Sequence, residues 1–174
     1  MGWKAVKDHY RIGHLVAFYE GEGLCIGSGY VHAIILIDPE KRTIREGTLG
    51  ISGNADLRRY WEEFHSDTSK LWELLEHPDE FSRDLPVFTY EGGAVVEYQC
   101  EEYGYPNVTH CGQMMYENTF FEKEADARMA GIRNARAGVD ALERAVERTQ
   151  QDLIERQATL AEYRSNLARL LPAA

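Results

Sequence analysis

The sequence predicts an α+β protein: a small antiparallel sheet domain with two short helices, followed by a long C-terminal helix. Three observations carry this. Apolar and β-branched residues recur in short runs separated by glycine-rich or proline-containing turns before residue 47 and again over 86–100. Between them, apolar residues fall at three- and four-residue spacing. The last third has no proline between Glu122 and Leu171 and repeats its apolar residues every seven positions.

Taken in order, 12-IGHLVAF-18 reads as a strand, 20-EGEG-23 as a turn, and 24-LCI-26 as its return. A second glycine pair, 27-GSG-29, leads into 30-YVHAIILI-37, which is rich in aromatic and β-branched residues. Both glycine pairs read as turns with positive φ. Asp38-Pro39-Glu40-Lys41 is a turn whose proline presets φ, and 42-RTIRE-46 is the return strand. In 55-ADLRRYWEEFH-65, Leu57, Tyr60, Trp61 and Phe64 form one apolar helical face, with Asn54 or Ser52 as cap. Ser66-Asp67 restarts a helix over 68-TSKLWELLEH-77, with Leu71, Leu74 and Leu75 inward, and Pro78 stops it. Strands 86-PVFTY-90 and 94-AVVEYQC-100 flank the turn 91-EGG-93 as a hairpin. Two shorter strands are expected over 107-NVTHC-111 and 113-QMMYEN-118.

Thr119 followed by Glu122 matches a capping box, so the boundary is set between an acidic domain, 1–118, and a helix, 119–172. Ile132, Val139, Val146, Leu153, Leu160 and Leu167 are seven apart. The positions three further on include Leu142 but also Thr149 and Arg156. This is a coiled-coil seam, intact on one register and interrupted on the other. One helix cannot bury such a stripe alone, and a homodimer is the simplest cover.

Charge divides along the same boundary. Residues 1–121 hold 20 acidic and 10 basic residues, and Glu122–Leu171 hold nine of each. The whole net charge of −10 therefore belongs to the first part. Such a field repels nucleic acid and membrane surfaces and favours basic protein partners, including nucleic-acid-handling complexes. The start of the chain carries no apolar signal-peptide core, and the longest apolar run is 33-AIILI-37, far short of a membrane helix. A cytoplasmic location is expected. The odd cysteine count, Cys25, Cys100 and Cys111, agrees with free thiols.

No motif specifies chemistry. Cys100, Cys111 and His110 lack zinc-ligand spacing, and all three cysteines read as small buried hydrophobes. No cofactor or metal is expected. The glycines at 21, 23, 27 and 29 are not followed by the Lys-Ser/Thr of a phosphate loop. A small hydrolase or nucleotide-processing enzyme using this glycine-rich meander, with Cys25, His14, His32 and Asp38 brought together, is the alternative reading. For partner contact, the acidic and aromatic residues Tyr98, Glu101, Glu102, Tyr103, Tyr105, Glu62 and Glu63 are the candidates, because aromatics dominate interfaces.

The stretches 3-WKAVKDHYRIGHLV-16, 57-LRRYWEEF-64 and 105-YPNVTHCGQMMYENT-119 together resemble a group of small accessory proteins of bacterial phages and prophages. The resemblance covers about residues 3–140. It implies a bacterial cytoplasm and an accessory role against host defence, of the anti-CRISPR kind. It carries no functional residue with it. The expected function is therefore non-enzymatic: binding and inhibition of a host nucleic-acid-handling complex through protein contacts. A structural or assembly role of the coiled coil in a phage is the further alternative.

Overall fold

A computed structural model describes residues 2–171. The chain is α+β. In order it forms α1 (Trp3–His9), β1 (Leu15–Tyr19), β2 (Gly23–Gly27), β3 (Ile35–Asp38) and β4 (Thr43–Glu46). Then come α2 (Ala55–Ser66), α3 (Thr68–Glu76), β5 (Leu85–Glu91), β6 (Ala94–Cys100), β7 (Asn107–Val108), β8 (Met114–Met115) and α4 (Glu124–Leu170). Two compact units result, divided between Ala130 and Gly131.

In the first unit, β1–β4 form an antiparallel meander in sequence order. Its register decides which side chains meet. Val16 faces Ile26 and Ile35 across the strands, and Phe18 faces Leu24 and Ile37. These rows share one face, because side chains alternate along a strand. They pack into one core with Trp3 and Val6 of α1, Leu57, Tyr60 and Phe64 of α2, and Leu71 and Leu75 of α3. The intervening row, Ala17, Cys25 and Leu36, lies on the opposite face and is also buried. The central strands are therefore covered on both sides, which explains why they read as continuous apolar runs.

Helix α2 is capped by Asn54, whose Oδ1 accepts from the backbone N–H groups of Asp56 and Leu57 at 2.9 and 3.1 Å. Asp67 caps α3 by accepting from Lys70 N at 3.0 Å. Helix α1 is an element that sequence patterning did not predict. Its cap is remote: Asp79, beyond α3, accepts from Lys4 N and Ala5 N through its two carboxylate oxygens at 3.1 and 2.8 Å. Gly2 sits against the α3 carbonyls, donating to Leu75 O at 3.1 Å, where any Cβ would strike Leu74 O.

The β5–β6 hairpin pairs over all seven residues of each strand. Gly92 and Gly93 take φ of 55° and 87°, the left-handed pair that a two-residue hairpin turn requires. Val87, Cys100 and Met115 form a second, smaller core beneath it.

Three sequence expectations are corrected. The strand expected from Tyr30 begins only at Ile35: Ser28 Oγ accepts from Tyr30 N and Val31 N and turns the chain, leaving Tyr30 92% exposed. Gly27 and Gly29 lack positive φ, unlike Gly21 and Gly23. They are needed for space, since a Cβ there would collide with Val31 O and with the Tyr105 hydroxyl. The strands expected over 107–111 and 113–118 shrink to two residues each around the turn at Thr109–Gly112.

The capping box at Thr119 does not form. Thr119 Oγ1 donates to Tyr116 O, and Phe121 exchanges two backbone hydrogen bonds with Phe88. Helix α4 instead begins at Glu124, with Glu124 and Asp126 placing negative charge at its positive N-terminal end. Its first two turns bury Ala127 and Ala130 in the first unit.

The second unit is the rest of α4, which at 47 residues in all is roughly 70 Å long. From Ile132 to Leu171 every residue is exposed except Ala145, which is half-buried. The stop expected at Pro172 lies outside the described residues. No helix among the described residues is long and apolar enough to cross a membrane.

Candidate functional site

The cluster around Cys25 holds a thiol, a carboxylate and an imidazole. Glu22 stands between the other two. Its Oε2 lies 3.6 Å from Cys25 Sγ and 3.3 Å from His32 Nε2. The His32 ring stacks on Tyr19 at 3.9 Å, and Tyr19 donates its hydroxyl to Met114 Sδ at 2.9 Å. A Cys–His nucleophile needs the imidazole on the thiol. Here the carboxylate takes that place. Burial, and after it the Glu22 charge, pushes the Cys25 thiol up to about 12. At neutral pH this sulfur is protonated.

The other members proposed for that cluster are engaged elsewhere. His14 lies edge-on to Tyr60, with Nδ1 3.4 Å from the Tyr60 hydroxyl and Nε2 3.4 Å from Asn54 Nδ2. Asp38 holds its own turn, accepting from Lys41 Nζ at 2.6 Å and from the N–H groups of Glu40 and Lys41. The hydrogen bonds from Lys41 lower its carboxyl below the usual range.

Cys100 is buried, as expected, but Cys111 is exposed. It sits at the tip of the Thr109–Gly112 turn with its sulfur 3.1 Å from Thr109 Oγ1. This turn plugs into the fold: Gly112 O accepts from Phe18 N at 2.7 Å, and His110 O accepts from Trp3 Nε1 at 2.9 Å. The His110 ring lies flat on Phe81 at 3.7 Å. These contacts anchor the segment 107–115 to β1, α1 and Phe81. A cleft of about 650 Å³ is lined by Tyr10, Arg11, Arg59 and Glu63, among others. Its central guanidinium, Arg59, is already held by Glu63 at 3.0 Å and by the Tyr10 carbonyl at 3.1 Å.

The candidate contact residues separate into two kinds. Glu101 is an internal clamp. Its Oε1 accepts from Lys4 Nζ at 2.7 Å, Ser82 N at 2.6 Å and Ser82 Oγ at 2.8 Å. Burial alone would raise this carboxyl, but the bonds from Lys4 and Ser82 outweigh it and hold it at about 2. Tyr105 donates to Gly29 O at 2.7 Å and stacks on Tyr116. Tyr98 donates to Glu91 at 3.0 Å, and Tyr103 packs on the second core. Glu63 is held by Arg59. Glu62, on α2, and Glu102, after β6, are exposed, on separate elements.

The seam residues behave differently from all of these. Ile132, Val139, Leu142, Val146, Leu153, Leu160 and Leu167 are each between 47% and 69% exposed, on one uninterrupted helix. Thr149, which breaks the second register, folds its hydroxyl back onto Ala145 O at 2.9 Å. The stripe has the seven-residue spacing of a coiled-coil seam. Tyr163 and Leu170, also exposed, extend it. No family model, curated protein or solved structure matches the chain.

Proposed function

We propose that the protein is a non-enzymatic binding protein, in which α4 pairs with a second copy and the acidic unit presents itself to a basic partner. The exposed heptad stripe carries the reading. Six aliphatic side chains at seven-residue intervals, with Leu142 beside them, stand exposed on a 47-residue helix that cannot bury them alone. The Cys25 cluster agrees with it from the other side, since the thiol faces the Glu22 carboxylate in place of an imidazole and is held protonated.

The acid excess of residues 1–121 favours a partner rich in Lys and Arg. With the resemblance to phage accessory proteins, this gives the specific form of the proposal: the protein occupies and blocks a host nucleic-acid-handling defence complex, as anti-CRISPR proteins do. A bacterial cytoplasm is the corresponding setting. The test is a pull-down of purified candidate effector complexes after nuclease treatment, at low and high salt. The proposal expects a nuclease-resistant complex that weakens steeply with salt. Binding indifferent to salt, or loss of the complex with the nucleic acid, overturns it. The alternative role in phage assembly rests on the helix alone. Removal of residues 131–174, beyond the first unit, separates the two, because assembly would then fail while the acidic unit would retain partner contact.

A further inference from the structure

Charge along the seam selects one arrangement of the two helices. With Ile132 at heptad position a, Arg156 is the one charged residue on the seam and occupies d, and Asp152 flanks it at g. Glu143 and Arg164 occupy e. A parallel, in-register pair sets Arg156 against Arg156 and offers no opposite charge at its flanks, since its g-to-e contacts are Gly138–Glu143, Ala145–Gln150, Asp152–Gln157 and Thr159–Arg164. In an antiparallel pair, a packs against d, e lies against e, g lies against g, and a d side chain enters a hole bordered by g. Full antiparallel overlap, centred on residue 151, sets Arg136 against Arg164 and Asp152 against Asp152. Both are like-charge contacts.

Sliding this pair by one heptad removes both conflicts. With the centre between Ile154 and Glu155, Glu143 of each copy meets Arg164 of the other. Arg156 enters the hole bordered by Asp152 of the other copy, with its aliphatic stem over Leu153. Apolar layers such as Val146–Tyr163 and Leu167–Leu142 remain intact. Of the two long-overlap antiparallel registers compared, this one makes opposite-charge pairs beside the seam and the other makes like-charge contacts.

We infer that α4 forms an antiparallel homodimer centred between Ile154 and Glu155, held in register by Asp152–Arg156 and Glu143–Arg164 contacts between copies. This rests on the self-pairing proposed above. Arg156, which looks like a flaw in the heptads, is then the residue that sets orientation, as isolated polar seam residues do elsewhere.

The experiment is pulsed electron–electron distance measurement on the full chain carrying Cys111→Ser, to remove the exposed thiol, with one spin label at Ser165→Cys or at Gln151→Cys. Both positions lie on the outer face of the heptad. The antiparallel register separates the two Ser165 positions by about 30 Å along the axis and the two Gln151 positions by about 10 Å. A clearly longer distance at 165 than at 151 is expected, each combining its axial separation with the same lateral offset between the two outer faces. Equal distances would show parallel pairing and overturn the register while leaving self-pairing intact. An axial separation of about 40 Å at 165, with none at 151, would place the centre at residue 151 and overturn it as well. A monomer without coupling would overturn both readings. Charge reversal gives a second test. Glu143→Arg should weaken dimerisation about tenfold, and adding Arg164→Glu should restore it. These positions are too far apart to touch within one helix, so rescue can only come from contact between copies. Absence of rescue would overturn the register.

Discussion

The sheet unit and the helix beyond Ala130 treat the same kinds of residue in opposite ways. Leu24, Ile26, Ile35, Ile37, Phe64 and Leu71 are wholly buried by their own chain. Leu153, Leu160 and Leu167, on α4, stand about half exposed. The acidic groups differ in parallel. In the first unit Glu101, Asp79 and Asp67 hold the fold together by accepting backbone and lysine hydrogen bonds. On α4, Asp152 and Glu143 are exposed beside the seam. The first unit buries its apolar side chains within one chain, and the second leaves them exposed.

This contrast can be broken first in the core. Phe64→Ala should cost the first unit about 3–5 kcal/mol, read by denaturant unfolding, because its side chain is fully buried among α1, α2 and the sheet. A loss below about 1 kcal/mol would mean that this unit is far less tightly packed than its burial indicates.

The seam should respond in a different observable. Leu153→Asp with Leu160→Asp should weaken self-association at least a hundredfold, read by sedimentation. The denaturant midpoint of the first unit should stay within error. Coupled loss of both would show that the helix stripe supports the first unit directly.

The Glu101 clamp gives a smaller, pH-dependent effect. Its carboxyl lies at about 2 in the folded chain and near the ordinary carboxylate value when unfolded. Its contribution is therefore complete above the unfolded value, and fades as pH falls from about 4.5 towards 2. Glu101→Gln should cost about 2 kcal/mol at pH 7 and nothing near pH 2. A difference independent of pH would remove the charge from the account. The smallest effect concerns the thiols. At pH 8 a thiol reagent should modify Cys111 quickly and leave Cys25 and Cys100 untouched until unfolding. Rapid modification of Cys25 would reopen the hydrolase reading.

What the sequence made legible depended on where each element's constraints lie. Local constraints were readable: Asn54 caps the helix that follows it, Gly92-Gly93 turns the hairpin it sits in, and the heptads of α4 need no other element. Distant constraints were not. Helix α1 shows Trp3, Val6 and Tyr10 at helical spacing, but its cap, Asp79, is more than 70 residues away. The segment from Tyr30 has strand-forming residues, yet Tyr105 and the Ser28 turn claim its first part. The match at Thr119 and Glu122 failed because Phe121 is taken up by pairing with Phe88. Among the contact candidates, Glu101 and Tyr105 turned out to be fixed by Lys4, Ser82 and Gly29, partners that no local pattern displays.

The central claim is that the stripe on α4 is covered by a second copy. Sedimentation equilibrium of the full chain over micromolar concentrations tests it most directly. The account predicts a reversible species of twice the 19.9 kDa chain mass, lost in the Leu153→Asp, Leu160→Asp variant. A monomer throughout that range would contradict it.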